Sequence, residues 1–269
     1  LFKSRPESIA FEKHYYTQTT DQGEKDSETL ENLFSSVESE AAPVFQKIKS
    51  LKIPNISEKL TLASFIALLF LRTPRFRKII ETIVVSEAEF RLRKMTFDDE
   101  AFRTSVKRAV EALGESLDMD YEEYKKFVQS EDWTISTDKE VSLRGLKSTA
   151  WLAKIIFSME WTFLKATELL KFITSDSPVF NYDPTFEYIH GGMPGFQDKN
   201  IEVTLPISSN LILRCIWGSE KEETIEGIFP ATNEIVKAYN RRTVISAHRH
   251  IYASENSAGI QKIVKKYGK

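Results

Sequence analysis

The amino-acid sequence predicts an α+β fold: mainly helical in the N-terminal two-thirds, with a small, largely antiparallel sheet in the C-terminal third. Apolar residues recur at helical spacing from Leu30 onward. The longest apolar run, LTLASFIALLFL, is typical of a helix buried in the centre of a protein. After Met159 the segments become short and rich in β-branched and aromatic residues, with turn-forming residues between them.

Size and composition are those of a chain with a substantial hydrophobic core and little net charge. The chain has 269 residues, of which 41% are hydrophobic, and its formal net charge is −2. We predict a single domain over residues 1–269, with a helical part at about 26–160 and a sheet-containing part at about 161–254. The charge provides no global attraction to nucleic acid or anionic lipid, and no partner or oligomeric state is predicted.

The single cysteine, Cys215, excludes an internal disulfide and any cysteine-rich zinc site. Its apolar surroundings, NLILRCIW, predict a buried and unreactive thiol. This cysteine usage, together with an N-terminal segment that lacks a signal-peptide pattern, predicts a cytoplasmic location. The longest apolar run is shorter than the roughly 20 residues that a transmembrane helix needs, so no membrane anchor is predicted.

The first predicted elements are a loop and an amphipathic helix. Residues 17–28 are polar and turn-forming, and Asp26 or Ser27 provides an N-cap for the helix that follows. That helix extends to about residue 50, and Pro43 is expected to kink it or divide it in two.

Three further helices are predicted before the polar connection SEDWTISTDKEVS. The apolar helix covers residues 58–72, with Ser57 as its N-cap, and ends before Pro74. Charge-rich helices then cover residues 76–94 and 98–129, and Gly114 is a weak point in the second of these.

The remaining chain contains the predicted strands between two helices. LRGLKSTAWLAKIIFSM is expected to form a helix, and WTFLKAT, LKFITS, IEVTLPIS and NLILRCIW are expected to form strands. PATNEIVKAYNRRTVISAHRHIYA is expected to close the chain as a helix with a last extended piece.

Several motifs that suggest a familiar chemistry are incomplete. GLKST at 145–149 lacks the Gly-Lys pair and the upstream glycine of a phosphate-binding loop. HGG at 190–192 resembles an oxyanion loop, but no G-x-S-x-G motif accompanies it. His248 and His250 share a face only in a strand, and a solvated or core-edge pair is favoured over a metal site.

Glu38 and Arg72 form the first candidate pair. On a helical wheel, Glu38 lies at the edge of the apolar face of the helix that begins at Leu30. Arg72 ends the most apolar helix, and a buried guanidinium there requires an anionic partner. Glu38 is the first candidate partner and Asp176 is the second. Such a pair is either a structural ion pair between two helices or part of a site.

Polar residues also gather at the sharp corner of KFITSDSPVF. Thr174, Ser175 and Asp176 follow an apolar strand and precede Ser177 and Pro178. An aspartate in this position accepts hydrogen bonds from the following backbone amides and stabilises a turn. The alternative is that a rigid strand end presents these side chains to a pocket.

Six segments in order resemble a bacterial family catalogued as domain of unknown function number 4238. They are FEKHYYT, LENLFSSVESEAAPVFQKI, FIALLFLRTPRF, FITSDSPV and, near the end, AYNRRTVISAHRHIYAS, with IEVTLPIS before the last of them. The resemblance covers roughly residues 9–254. By motif, it implies a set of matching polar positions: Glu38, Arg72, Thr174, Ser175, Asp176 and Asn240.

Two hypotheses of function follow. In the first, the protein is an intracellular bacterial enzyme of defence or toxin type that hydrolyses a phosphodiester or another anionic substrate. Glu38 and Asp176 would then be acid/base or metal-binding carboxylates, Arg72 would hold the anion, and Mg²⁺ would be the cofactor. In the second, the protein is a non-catalytic module that binds a protein or small ligand, and its buried polar residues are structural.

Overall fold

The structure is a computed structural model. It describes residues 18–19, 25–26, 28–114, 119–130, 132–167, 169–185, 193–218 and 226–268. The chain divides into two compact units, one of residues 1–77 with 143–269 and the other of residues 78–142. The assignment of the whole chain to one domain stays a prediction.

The predicted loop at 17–28 contains a short antiparallel hairpin, formed by β1 (Gln18–Thr19) and β2 (Lys25–Asp26). Helix α1 (Thr29–Lys49) begins directly after it. The Asp26 carboxylate accepts hydrogen bonds from the N–H groups of Glu28, at 2.9 Å, and Thr29, at 3.0 Å. The N-cap residue is Glu28, so the prediction of Asp26 or Ser27 at that position is wrong, although Asp26 satisfies two amides at the start of the helix from just outside it.

Helix α1 continues through Pro43 without being divided. Pro43 is exposed, while Ala41 and Val44 on either side of it are buried. Packing of this buried face holds the helix together where the proline removes one backbone hydrogen bond.

Helix α2 (Ile56–Leu71) is capped by Asn55, so the prediction of Ser57 as the cap is wrong. The Asn55 side chain accepts a hydrogen bond from the Glu58 N–H at 2.9 Å, and Glu58 accepts one from the Asn55 N–H at 2.7 Å. This reciprocal pair satisfies two amides at once, which a serine inside the first turn does not do. The helix is buried over much of its length, as its apolar composition predicts.

The charge-rich helices are α3 (Pro74–Met95), α4 (Asp99–Leu113) and α5 (Tyr121–Ser130). The single predicted helix at 98–129 is therefore two helices. Gly114 ends α4 in the left-handed conformation, with φ of 68°, which glycine adopts without steric cost. In the smaller unit the Phe102 ring contacts Tyr121, with ring centroids 5.1 Å apart.

The helix predicted at LRGLKSTAWLAKIIFSM is divided as well. Helix α6 (Lys139–Arg144) is followed by a 3₁₀ turn (Gly145–Ser148) and then by α7 (Thr149–Ser158). The 3₁₀ turn begins at Gly145, where the backbone lies close to the ring of Phe76. A Cβ atom at this position would lie 2.9 Å from the ring, so glycine suits this close approach.

Five strands form the main sheet: β3 (Glu160–Ala166), β5 (Phe180–Tyr182), β6 (Glu202–Ser208), β7 (Leu211–Ile216) and β8 (Gly227–Ala231). Their order across the sheet is β5-β6-β7-β3-β8. All of its pairings are antiparallel except that of β3 with β8, so the sheet is mixed but largely antiparallel, as predicted. The edge strands β5 and β8 were not predicted.

A second small sheet pairs β4 (Thr174–Ser175) with β9 (Ile251–Tyr252). Only the last two residues of the predicted strand LKFITS, Thr174 and Ser175, form a strand. Helix α8 (Asn233–Ser246) and the extended β9 match the predicted end of the chain. A further helix, α9 (Ala258–Tyr267), was not predicted.

Helix α9 packs on α8 through an apolar cluster in which Ile173, Val244 and Ile260 are buried. Its partly buried residues Ile263, Val264 and Tyr267 extend the same contact. Among the described residues, no helix has the length and apolar composition needed to cross a bilayer.

Candidate functional site

Arg72 pairs with Glu38, as its position at the end of an apolar helix predicts. Nη1 of Arg72 lies 2.6 Å from Oε1 of Glu38, and the guanidinium lies over the ring of Phe34, 5.6 Å from the ring centroid. The Glu38 side chain remains 47% exposed and the Arg72 side chain 22% exposed. A pair this accessible to water contributes about 0.2–1 kcal/mol to stability.

Asp176 binds the turn that follows α8. Its Oδ1 accepts a hydrogen bond from the His248 N–H at 2.8 Å. Its Oδ2 accepts from the Arg249 N–H at 2.7 Å and from the His250 N–H at 3.0 Å. The Asp176 N–H donates in turn to the His250 carbonyl at 3.1 Å. The side chain is only 12% exposed, so this carboxylate is held by backbone amides from a region 72 or more residues away.

Thr174 and Ser175 lie in β4, directly before this contact, and pair with β9. Ser175 is buried, and its hydroxyl accepts a hydrogen bond from the Ser177 N–H at 3.1 Å. The corner of KFITSDSPVF is therefore stabilised both by its own side chains and by strand β9. The sequence predicts that Asp176 accepts hydrogen bonds from the amides that follow it. The prediction is wrong, because Asp176 accepts from amides of residues 248–250 and the Ser177 N–H donates to Ser175 instead.

Asn240 on α8 makes a comparable two-sided contact. Its side-chain oxygen accepts from the Ile173 N–H at 3.1 Å, and its side-chain nitrogen donates to the Lys171 carbonyl at 2.8 Å. Both ends of the buried amide group are thereby satisfied. Asn240 fixes the extended segment before β4 onto α8.

The predicted site residues therefore form two sets. Thr174, Ser175, Asp176 and Asn240 surround the junction of α8 with the second small sheet. Glu38 and Arg72 bond to each other where α1 meets the end of α2. Within the residues that the structure describes, no hydrogen bond or ion pair joins the two sets. The catalytic roles of Glu38, Arg72 and Asp176 stay predictions.

A cleft of about 460 Å³ adjoins the Asn240 contact, between α8 and α9. We call it the α8–α9 cleft. Its apolar lining includes Leu170, Ile260, Ile263 and Tyr267.

The α8–α9 cleft also has a strongly basic lining, formed by Lys171, Lys237, Arg241 and Lys262. Glu255 is its one acidic lining residue. In the described part of the chain, none of these four cations forms an ion pair with a carboxylate. The guanidinium of Arg241 lies over the ring of Tyr267, 4.5 Å from its centroid.

A second polar cluster lies on one face of the main sheet. Glu202 on β6 pairs with Arg242 on α8, and the phenol of Tyr239 lies near the negative charge of Glu202. The Arg242 guanidinium lies over the ring of Tyr182 at 3.9 Å and over that of Tyr239 at 4.9 Å. Burial, and then the negative charge of Glu202, raise the pKa of Tyr239, so this phenol stays protonated at neutral pH.

The described residues contain no group of three or more His, Cys, Asp or Glu side chains placed to hold a metal ion. Cys215 is a buried free thiol, as predicted. Burial raises the pKa of this thiol, which keeps it in the unreactive protonated form.

Sequence reasoning missed the α8–α9 cleft. Its lysines and arginine come from three separate segments, and α9 was not recognised. The signal for α9 is nevertheless present, because Ile260, Ile263, Val264 and Tyr267 recur at helical spacing and Ser257 is a suitable N-cap.

The comparisons with known proteins agree with the resemblance seen in the motifs. The family model described as "Protein of unknown function (DUF4238)" matches residues 1–257. No curated protein and no solved structure matches the chain. Helix α9 begins at residue 258, directly after the matched region. Because the match spans nearly the whole sequence, the chain belongs to the DUF4238 family of proteins of unknown function.

Proposed function

We propose that this protein is a non-catalytic module that binds a small anionic molecule in the α8–α9 cleft. The observation that carries the proposal is the set of four cations, Lys171, Lys237, Arg241 and Lys262, which line one cleft beside a single carboxylate. Four positive charges and one negative charge give the lining residues a net charge of +3, on a chain whose net charge is −2, and Glu234 lies near Lys237 outside the lining. Such a local field attracts and orients anions.

The apolar lining supports a ligand that also has an apolar part. Ile260 is buried, and Ile263 and Tyr267 are half-buried beside the basic side chains. A cleft of this size with an apolar surface and a few charged groups is typical of small-molecule sites. An aromatic phosphate or carboxylate has both the charge and the apolar area that this lining complements.

The bonding of the motif residues supports a structural role for them. Each oxygen of Asp176 already accepts a backbone hydrogen bond, and Asn240 uses both ends of its amide group. Together they fix β4, α8 and the turn after α8. These are the elements against which α9 packs to form the cleft.

Isothermal titration calorimetry of the full chain with phenyl phosphate, benzoate and inorganic phosphate tests the proposal. We expect phenyl phosphate or benzoate to bind, and to bind more tightly than inorganic phosphate because the ring covers apolar surface. Lys262→Gln and Arg241→Gln are each expected to weaken binding about three- to tenfold, since each removes one charged contact.

Two matched variants serve as controls. They are Lys265→Gln and Arg249→Gln. Lys265 lies on α9 together with Lys262, and Arg249 lies just after α8, which carries Arg241, but neither control residue lines the cleft. Both controls should bind like the unaltered protein. If neither aromatic anion binds, or if Lys265→Gln weakens binding as much as Lys262→Gln, the proposal is wrong.

A further inference from the structure

The face of the main sheet that carries Glu202 also carries a second arginine. The strand register places Arg214 of β7 opposite Thr204 of β6 on one side and opposite Thr162 of β3 on the other. One step along the same face, Ile216 lies between Glu202 and Glu160. We call Glu160, Thr162, Glu202, Thr204 and Arg214 the sheet-face cluster. The carboxylates of Glu160 and Glu202 are diagonal neighbours of Arg214 and lie within reach of the long arginine side chain.

One carboxylate of the cluster is already satisfied. Glu202 pairs with Arg242, and the Arg242 guanidinium lies over the rings of Tyr182 and Tyr239. Glu202 and Arg242 therefore neutralise each other, and Glu160 and Arg214 remain as the other pair of opposite charges on this face.

Glu160 and Arg214 each have a buried polar atom without a hydrogen-bond partner. These atoms are Oε2 of Glu160 and Nε of Arg214. In the described residues, neither side chain forms an ion pair, although the register places them close together. A buried polar atom of a charged side chain that lacks a hydrogen-bond partner destabilises the protein. Two such groups of opposite charge on one face form a complementary pair of binding groups.

The cluster contains further polar groups that are only weakly engaged. Thr162 and Thr204 are 5% and 4% exposed, and their hydroxyls lie 3.4 Å from the backbone carbonyls of Arg214 and Phe180. Hydrogen bonds of this length are weak, so both hydroxyls retain capacity for another partner. They flank the arginine on its two sides.

The position of the Glu160 carboxylate is constrained by the backbone beside it. A Cβ atom at Gly218 would lie 2.0 Å from Oε1 of Glu160. The carboxylate thus packs directly on a glycine, and any side chain at residue 218 would displace it.

We propose that the sheet-face cluster binds a compact zwitterion, namely a free α-amino acid. Its carboxylate would accept hydrogen bonds from Arg214 and the threonine hydroxyls, and its ammonium group would donate to Glu160. An anion alone would leave Glu160 without a partner, and a cation alone would leave Arg214 without one. This site is separate from the α8–α9 cleft and does not depend on it.

The test is a thermal-shift screen of the full chain with each of the common L-amino acids, followed by calorimetry on any that stabilises it. We expect at least one amino acid to raise the melting temperature by more than about 1 °C at millimolar concentration. Acetate and methylammonium, which carry one charge each, should not do so. Glu160→Gln should weaken amino-acid binding at least about tenfold, because it removes the charge that holds the ammonium group.

Glu226→Gln is the matched control, because Glu226 pairs with Lys59 and is not part of the cluster. It should bind amino acids like the unaltered protein. Gly218→Ala provides a second test, because it keeps every charge but displaces the Glu160 carboxylate, and it should weaken binding as Glu160→Gln does. The proposal is overturned if no amino acid stabilises the protein, or if Glu160→Gln and Glu226→Gln bind equally well. Binding of phenyl phosphate should be the same in all three variants, which separates this site from the cleft.

Discussion

Two acidic residues that look equivalent in the sequence have different roles in the structure. Glu38 is half exposed and pairs with one arginine, whereas Asp176 is 12% exposed and accepts three backbone hydrogen bonds. Loss of the Asp176 carboxylate removes three bonds that hold the turn after α8, while loss of Glu38 removes one ion pair and leaves Arg72 able to turn towards water. The two side chains should therefore differ strongly in how much they stabilise the protein.

Asp176→Asn should lower the free energy of unfolding by about 2–4 kcal/mol. The variant keeps the shape of the side chain but replaces one accepting oxygen with an NH₂ group that faces amide donors. The measurement is urea denaturation followed by circular dichroism. Glu38→Gln is the control, and it should lower the free energy of unfolding by less than about 1 kcal/mol because the ion pair of Glu38 with Arg72 is exposed. Equal losses in the two variants would contradict the structural role of Asp176.

At the scale of elements, α9 determines whether the α8–α9 cleft exists. It supplies Ile260, Lys262, Ile263 and Tyr267 to the lining, and it is attached to α8 through an apolar cluster. A short helix gains most of its stability from such packing rather than from its own hydrogen bonds. Weakening the cluster should therefore release α9 before the rest of the protein unfolds.

Ile260→Ala should detach α9 locally, because truncation of a buried isoleucine costs about 2–4 kcal/mol. Hydrogen exchange measured by mass spectrometry should show faster exchange in residues 258–267, and phenyl phosphate binding should weaken with it. Ile245→Ala on α8 is the control, since Ile245 is 38% exposed and should change neither quantity. Unchanged exchange in α9 after Ile260→Ala would show that the cluster does not hold the helix.

At the scale of the whole molecule, charge is distributed unevenly. The net charge of −2 predicts no attraction to anions, yet the residues that line the α8–α9 cleft carry a net charge of +3. A field of this kind acts over roughly the Debye length, which is about 10 Å at 0.1 M salt. Binding at the cleft should therefore be controlled by this local field and not by the net charge.

Raising the concentration of sodium chloride from about 0.02 M to about 0.3 M should weaken phenyl phosphate binding severalfold, because the Debye length shortens across this range. Calorimetric titrations at several salt concentrations measure this dependence. Benzyl alcohol has the ring without the charge and is the control ligand, so any binding it shows should not weaken as salt is raised. Salt-independent binding of phenyl phosphate would mean that the cations of the cleft do not contact the ligand.

Local patterns were sufficient to predict several parts of the fold. Helices α1 and α2 were predicted from apolar residues at helical spacing, and strands β3, β6 and β7 from short β-branched and aromatic-rich runs, which are all patterns of residues close in sequence. The ion pair of Arg72 was predicted because a charge at the end of an apolar helix must be neutralised. The predicted cap at Ser57 and the single helix at 98–129 were wrong, because Asn55 and Gly114 satisfied the backbone better.

The sequence by itself determined the fold class, the family motifs and the need for a partner at Arg72, because periodicity and composition carry that information. Only the tertiary structure decided what the polar residues contact. Asp176 meets amides 72–74 residues further along the chain, and the basic cleft collects cations from three segments. Contacts between residues so far apart in sequence depend on how the elements pack, and no local pattern encodes them.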